Sequence, residues 1–145
     1  MTIKGEYVPS PTEWVRKQVE AIEAAGDTRA AQVMDRDVVL LTMLGVSGNV
    51  RKVPLMRVEH DGSYAAVASK GGAPENPKWY ANVKKNPVLD LMDGTETFAV
   101  KARELSGAER EEWWERCVAA YPPYAEYQTK TDRQIPVLVL EPITY

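Results

Sequence analysis

The sequence has little of what most metal sites and nucleophilic enzymes need: one cysteine and one histidine among 145 residues. One cysteine excludes an intrachain disulfide, which fits a reducing cytoplasm. The two residues together cannot supply the ligands of an ordinary structural zinc site, so we predict no metal. His60 stands beside an Asp-Gly turn, where a solvated histidine is the usual outcome, and it supports no Ser-His-Asp triad. Cys117 falls on the apolar side of a predicted helix, which indicates a core thiol.

Other signals are also missing. No apolar run approaches the roughly 20 residues that a transmembrane helix needs, and residues 1–10 lack the apolar core of a signal peptide. We therefore expect a soluble, cytoplasmic protein, with peripheral contact at the inner membrane face left open. The net charge of −3 argues against nucleic acid as a partner. No Walker loop or Gly-x-Gly-x-x-Gly fingerprint occurs, so in an enzyme a bound cofactor would carry the difficult step.

The chain begins with a well-marked helix signal. Ser10 and Glu13 form a Ser-x-x-Glu capping box, which predicts a helix over about residues 11–25 that ends at Gly26. The chain length is typical of one domain, and no linker or internal repeat divides it. We therefore expect a single domain over residues 1–145, with this helix at its start.

Two later helices are signalled in the same way. Asn76 is placed to cap a short helix that starts with Pro77. Ser106 and Glu109 form a second capping box, which predicts a helix to about Ala120.

Six strand-like runs fill most of the remaining chain. Asp61-Gly62 and Asp93-Gly94 each separate two such runs and predict tight hairpins. Pro54 interrupts the second run and favours an edge position for it. Because antiparallel hairpins dominate, we predict a mainly β (α+β) fold: a small, partly open barrel with peripheral helices. The predicted strands are residues 38–44, 51–59, 63–69, 88–92, 95–103 and 135–140.

Positive charge is concentrated in the middle of the chain. Residues 45–86 hold seven basic and three acidic side chains, which suits an anionic small molecule, although a solvated basic surface gives the same pattern. The turn at Gly45–Asn49 exposes backbone N–H groups directly before Arg51 and Lys52, as in phosphate or carboxylate sites. A plain hairpin turn with basic edge residues is the alternative.

Two further stretches suit a flat ligand. Gly71 and Gly72 allow a ligand to approach the backbone, and Trp79 on the following helix can wall a ring pocket; an ordinary loop leading into a core helix is the alternative. Tyrosines at 121, 124 and 127 recur every three residues, so on a helical turn they lie close together. They combine flat apolar faces with hydroxyl donors, although packing against the core explains the same spacing.

The order of these motifs resembles the deazaflavin-dependent nitroreductase family of actinobacteria, over most of the chain from about Val38. The resemblance implies a split β-barrel of the flavin-reductase, FMN-binding type. It also implies reduced coenzyme F420, an 8-hydroxy-5-deazaflavin, as hydride donor. The segments that carry it are Ala68–Pro74, Trp79-Tyr80-x-Asn82, Glu112–Arg116, Tyr121-Pro122-Pro123-Tyr124-x-x-Tyr127 and Thr131-x-Arg133-x-Ile135-Pro136-Val137.

The resemblance also implies a cofactor site. Arg51 and Lys52 are expected near the phosphate, and residues 78–82 near the phosphate and the glutamate tail. In one place the chain departs from the family, which usually has Gly-Arg-Lys-Ser-Gly where this chain has Gly45-Val46-Ser47-Gly48; Lys84 and Lys85 are the nearest basic substitutes. The implied cofactor contacts are Ser47, Arg51, Lys52, Val53, Pro54, Leu55, Met56, Val67, Ala68, Ser69, Lys70, Lys78, Trp79, Tyr80, Ala81, Asn82 and Tyr124.

These motifs and the resemblance together suggest a hypothesis for the reaction. A hydride passes from the reduced deazaflavin to an electron-poor carbon of a small conjugated acceptor held over the ring. Ser69 and Tyr124 polarise the acceptor's carbonyl or nitro group, while Tyr121 and Tyr127 wall its pocket. Conjugated lactones such as coumarins and aflatoxins, quinones and nitroaromatics all fit this description.

Three alternatives remain open at this point: an FMN-dependent oxidoreductase on the same barrel, a non-enzymatic deazaflavin carrier, and a purely structural barrel domain. The site and not the fold must decide among them. Monomer and homodimer are equally compatible with the sequence.

Overall fold

In residues 5–143, seven strands pair into one antiparallel sheet that curls into a half-barrel. The computed structural model describes residue 3 and residues 5–143. The strand order across the sheet is β2-β1-β5-β6-β7-β4-β3, which confirms the predicted split barrel of antiparallel strands. The strands are β1 (Val38–Leu44), β2 (Val50–Met56), β3 (Glu59–His60), β4 (Ser63–Val67), β5 (Val88–Asp93), β6 (Glu96–Glu104) and β7 (Val137–Pro142).

In the part of the chain that the structure describes, four helices surround the sheet, together with two short 3-10 turns at Thr28–Ala31 and Lys70–Gly72. The first helix ends at Gly26, whose φ of 65° is the left-handed C-terminal cap that the sequence predicted. The helices are α1 (Glu13–Ala25), α2 (Lys78–Lys85), α3 (Gly107–Ala120) and α4 (Pro123–Thr129).

All six predicted strands are present, but one of them is divided. The predicted run 51–59 forms β2, which pairs along its length with β1, and then the short β3, which pairs with β4 around Asp61-Gly62. The predicted hairpin across this turn was therefore too long. The division of this run depends on its two different partners, β1 and β4, of which the sequence gives no local sign. Pro54 lies on the edge strand β2, as expected. The second hairpin is confirmed, but its two-residue turn is Gly94-Thr95 and not the predicted Asp93-Gly94, because Asp93 belongs to β5 and pairs with Glu96.

The predicted capping interactions at Ser10 and Asn76 are wrong. Thr12 and not Ser10 is the N-cap of α1, and the Ser10 hydroxyl accepts a bond from the Thr12 amide at 3.2 Å. Asn76 does not cap α2, whose N-cap is Pro77. Its side-chain oxygen accepts a 2.7 Å bond from Arg133 instead, because this distant guanidinium competes with the local backbone donors.

The second capping box is half right. Ser106 is the N-cap of α3, but its side chain makes no capping bond. Glu109 instead accepts two hydrogen bonds from Arg103 at 2.8 and 3.0 Å. An ion pair to a neighbouring strand therefore replaces the expected bond to the backbone.

The half-barrel encloses one core, and the helices build two others. Leu41, Leu91 and Leu140 fill the interior, and Trp79 of α2 packs on them. The helices α3 and α4 cover the opposite face of β4 and β7. Cys117 belongs to this second core, is fully buried, and has a pKa raised to about 12 by burial, so it is the core thiol that was predicted.

The helix α1 has a separate apolar contact. Val19 and Ile22 are buried against Val38 and Leu40 of β1. The N-terminal half of α1 places Trp14, Val15 and Gln18 beside residues 53–56 of the edge strand β2.

Candidate functional site

A cleft of about 330 Å³ opens between α1, the edge strand β2 and α4. It lies outside the barrel core and combines a largely apolar lining with a few hydroxyl and cationic groups. Eleven of the predicted site residues line it: Val53, Pro54, Leu55, Met56, Val67, Ser69, Lys70, Trp79, Tyr121, Tyr124 and Tyr127.

Three tyrosines form one wall of this cleft as a single aromatic cluster. Tyr121 and Tyr124 lie edge to face with ring centroids 4.9 Å apart, and Tyr127 lies 6.2 Å from each of them. Pro122 caps α4 and Pro123 begins it, so the three-residue spacing brings the rings together as the sequence predicted.

The hydroxyl groups of the cluster differ in their surroundings. The hydroxyls of Tyr121 and Tyr127 lie 3.2 Å apart and share a hydrogen bond. Tyr124 is only 4% exposed, and in residues 5–143 its hydroxyl has no hydrogen-bond partner. It is therefore the phenol whose donor is free to serve a ligand in the cleft.

Two of these phenols are held in the neutral form. Burial raises the pKa of Tyr124 above its ordinary value of 10.0. The hydrogen bond with Tyr121, followed by burial, raises the pKa of Tyr127 to about 12. Both are therefore protonated donors near neutral pH.

The strand β2 forms the opposite side of the cleft. On one side it pairs with β1; on the other side residues 6–8 hydrogen-bond to Val50, and the edge at residues 53–56 borders the cleft. Val53 and Leu55 share one face of the strand and pack against the barrel core, and Arg51 continues that face. Lys52 lies on the other face, where its ammonium pairs with Glu23 of α1.

The turn before β2 is tied to α2. The Val46 amide donates to the Asn82 side chain at 3.1 Å, and the Lys85 ammonium donates to the Val46 carbonyl at 3.0 Å. A Cβ on Gly45 would lie 3.4 Å from the Arg51 side chain and 3.8 Å from Asn82. Arg51, Asn82 and Lys85 thus converge at the shortened turn.

Most of the basic residues in the middle of the chain are already paired. Four of the seven lie within salt-bridge distance of a carboxylate: Lys52–Glu23, Arg57–Asp93, Lys70–Glu75 and Lys84–Glu104. Within the described ranges, Arg51, Lys78 and Lys85 have no such partner. Of the two substitutes considered for the shortened turn, only Lys85 therefore reaches it.

The remaining predicted contacts do not line the cleft. Ala68 is fully buried, and the Tyr80 hydroxyl donates to Glu104. Ser47, Lys78 and Ala81 are exposed. Together with Arg51, Lys52 and Asn82, these are the eight predicted contacts that do not line it.

Sequence reasoning missed one wall altogether. Trp14, Val15 and Gln18 of α1 line the cleft, and Trp14 is 61% exposed. Only the helical pattern of α1 was readable from the sequence. Its position over β2 depends on packing against β1 and on the Lys52–Glu23 pair, which no local pattern reveals.

A larger depression of about 430 Å³ lies elsewhere, between the Thr28–Ala31 turn and the β5–β6 turn. Arg57 and Asp93 meet there at 3.0 Å, and the Tyr64 hydroxyl donates to Asp93 at 2.6 Å. Because these polar groups satisfy one another, we assign them a structural role. In the described part of the chain no helix could cross a bilayer, and no group of three His, Cys, Asp or Glu side chains could hold a metal ion.

Comparisons with known proteins agree on one family. A family model described as F420H(2)-dependent quinone reductase matches residues 14–142. An F420H(2)-dependent quinone reductase of Mycobacterium tuberculosis is 33% identical over 105 residues, which make up 70% of each chain.

Two solved structures are similar along most of the chain. The F420-H2 dependent reductase FDR-A is 59% identical with a TM-score of 0.70, and the match covers 76% of this chain and 98% of that one. A structure described as a domain-swapped dimer is 57% identical with a TM-score of 0.72, and the match covers 91% of this chain and 100% of that one.

Proposed function

From the premise that this chain belongs to the F420H(2)-dependent quinone reductase family, we propose that the cleft between α1, β2 and α4 is its active site. The protein is thus an oxidoreductase, and its cofactor is reduced coenzyme F420. The observation that carries the proposal is the meeting, in one apolar cleft, of the β2 edge at residues 53–56 and a cluster of three tyrosines. Such a cleft with a few directed polar groups is typical of cofactor sites.

The residues present fit this cofactor, which joins a flat deazaflavin ring to an acidic tail. Val53, Leu55 and Trp79 provide apolar surface for a ring. Arg51 lies four residues before Leu55 on the same face of β2, about 13 Å away at the usual rise per residue. A ring beside Leu55 would therefore direct its phosphate towards Arg51, Asn82 and Lys85.

The residues would divide the work as follows. The edge of β2, Val67 and Trp79 hold the ring, while Arg51 and Lys85 neutralise the tail. When bound, the reduced cofactor supplies a hydride. The wall formed by Trp14 and Val15 reduces access of water and keeps the acceptor close to the ring, since orientation within about 3–3.5 Å provides much of the rate.

Hydrogen-bond donors complete the site. Negative charge develops on the acceptor's oxygen during reduction, and a preorganised donor at that point stabilises the transition state. Tyr124 serves because its phenol is neutral and its donor is unused within residues 5–143. Ser69 lies on the same cleft, and the bond between Tyr121 and Tyr127 fixes the position of the neighbouring rings.

We propose planar, conjugated, electron-poor molecules as acceptors, with quinones first. The aromatic lining grips a flat ring, and the donors are suited to a carbonyl oxygen. Conjugated lactones such as coumarins and aflatoxins share both features, and nitroaromatics share the flat ring and an oxygen that gains negative charge. We also propose that the protein works in the cytoplasm. We propose a homodimer because a structure 57% identical to it is described as a domain-swapped dimer.

An acceptor panel tests this proposal. Purified protein loaded with reduced F420 is mixed with a benzoquinone, a coumarin and a nitroaromatic, and cofactor oxidation is followed by its absorbance. We expect turnover with the quinone and slower turnover with the others. Binding without turnover of any acceptor would instead support a carrier, and turnover with reduced FMN alone would support a flavin enzyme.

A further inference from the structure

We propose that Arg133 is a positioning residue that holds Ser69 and the tyrosine helix α4 in fixed relation across the cleft. The proposal rests on the function proposed above for Ser69 and Tyr124. Arg133 lies in the segment between α4 and β7 and does not itself line the cleft. Its effect on the reaction would therefore be exerted through the groups it binds.

The Arg133 guanidinium binds the loop that follows β4 at four points. Its Nε donates to the Ala73 carbonyl at 3.0 Å, and one terminal nitrogen donates to the Ala68 carbonyl at 3.2 Å and to the Asn76 side chain at 2.7 Å. The other terminal nitrogen donates to the Ser69 carbonyl at 2.9 Å. One side chain thus fixes both ends of the loop that carries Ser69.

The same segment is tied to the tyrosine helix. Gln128 of α4 donates to the Arg133 carbonyl at 2.8 Å and accepts from the Ile135 amide at 2.9 Å. The loop also touches α4 directly, because the Gly72 backbone packs against Tyr127. Arg133 and Gln128 together therefore join the two walls that carry the proposed donors.

Arginine is needed here for its shape. A guanidinium has five N–H donors in a planar fork, whereas a lysine ammonium has three donors on one atom. Lysine at this position would keep the charge but could not reach carbonyls on both ends of the loop. Ser69 would then shift relative to Tyr124, and a misplacement of about 1 Å can cost about 100-fold in rate.

The matched control is Arg103→Lys. The Arg103 guanidinium also binds more than one group, since it pairs with both Glu109 and Glu141, but Arg103 lies on β6 and does not line the cleft. The measurements on Arg133→Lys and Arg103→Lys are the melting temperature, the dissociation constant of oxidised F420 by fluorescence, and kcat and KM for a quinone. Hydrogen exchange at the Gly72 and Ala73 amides, which bond within the loop, reports on its order.

For Arg133→Lys we expect kcat to fall at least about tenfold while the F420 dissociation constant changes by less than about threefold. Arg103→Lys should keep kcat within about twofold, even where it melts at a lower temperature. Equal kcat in the two variants would overturn the proposal. If Arg133→Lys does not fold, Gln128→Ala takes its place. This variant removes only the two hydrogen bonds between α4 and the segment that carries Arg133, and its kcat is compared with that of Arg103→Lys in the same way.

Failure of the proposed function has a different signature. Wild-type protein that neither binds F420 nor reduces a quinone would overturn that function. The exchange of the Gly72 and Ala73 amides would still show whether Arg133 orders the loop: faster exchange in Arg133→Lys supports the tie, and unchanged exchange contradicts it.

Discussion

Gly72 lies so close to Tyr127 that a Cβ atom on the glycine would stand 2.6 Å from the Tyr127 carbonyl oxygen. The preceding residue, Gly71, has open space around it, with no atom within 4 Å of an added Cβ. Both glycines have positive φ, 64° and 86°. The Gly-Gly pair therefore combines two different requirements: a left-handed turn at both positions and a close approach to α4 at only one.

Alanine substitutions separate these requirements. Gly71→Ala should cost about 1–2 kcal/mol, the usual penalty for a left-handed alanine. Gly72→Ala pays the same penalty and must also displace backbone, which adds about 1–3 kcal/mol. The free energy of unfolding in urea measures both, and equal losses would show that the contact with Tyr127 is not tight. Because this contact holds one wall of the cleft, Gly72→Ala should also slow quinone reduction more than Gly71→Ala does.

Arg51 and Lys52 are adjacent in sequence but face opposite sides of β2. Arg51→Gln should weaken F420 binding about tenfold, a loss of about 1.4 kcal/mol in binding free energy, because the substitution removes a positive charge proposed to bind the acidic tail. It should also reduce the salt dependence of binding, because a screened attraction to the acidic tail is removed. Lys52→Gln should leave affinity nearly unchanged, because its ammonium is engaged by Glu23. Fluorescence titration at low and high salt distinguishes the two, and equal weakening would show that Lys52 also contacts the tail.

Tyr124→Phe removes only the phenol hydroxyl. Cofactor affinity should stay within about threefold, while kcat for a quinone should fall about 100-fold, the lower end of the loss seen when one transition-state donor is removed. The control is Tyr80→Phe, because the Tyr80 hydroxyl donates to Glu104 outside the cleft. Wild-type turnover in Tyr124→Phe would remove this phenol from catalysis and leave Ser69 as the proposed donor.

Raised phenol and thiol pKa values predict how stability changes in alkali. Burial raises the pKa of Tyr64 to about 12, and it also raises the pKa of Tyr124. In the unfolded chain phenols titrate near 10, so above about pH 10 the unfolded state binds fewer protons than the folded state. The Cys117 thiol, whose pKa burial raises to about 12, adds to this effect from about pH 9, where a free thiol titrates. Stability should thus be constant in this respect below about pH 9 and fall as the pH rises towards 12.

The melting temperature, measured together with phenolate absorbance, checks this prediction. Tyr124→Phe should show a shallower decline, because one raised pKa has been removed. A melting temperature that stays constant to about pH 11 would show that the buried phenols titrate like free ones.

Local chemistry made much of the fold readable from the sequence. The Asp-Gly turns marked the hairpins, Gly26 marked the end of α1, and the three-residue spacing of the tyrosines predicted their cluster. Each of these signals acts between residues close together in the chain, where geometry depends little on the rest of the molecule.

The features that the sequence did not predict depend on contacts between residues far apart in the chain. Asn76 binds Arg133 instead of capping α2, and Lys52 binds Glu23 instead of facing the cleft. Trp14 lines the cleft because α1 lies beside β2, where Glu23 pairs with Lys52. Such choices are made by tertiary packing between segments tens of residues apart, and a single sequence carries no local sign of them.

The most direct test of the account is calorimetric titration of the purified protein with coenzyme F420 in its reduced and oxidised forms, with FMN as the comparison ligand. The cleft and its cations predict saturable binding of one F420 per chain, weakened by salt, and weaker binding of FMN. No measurable binding of F420 in either redox form would contradict the central claim that this cleft is a deazaflavin site.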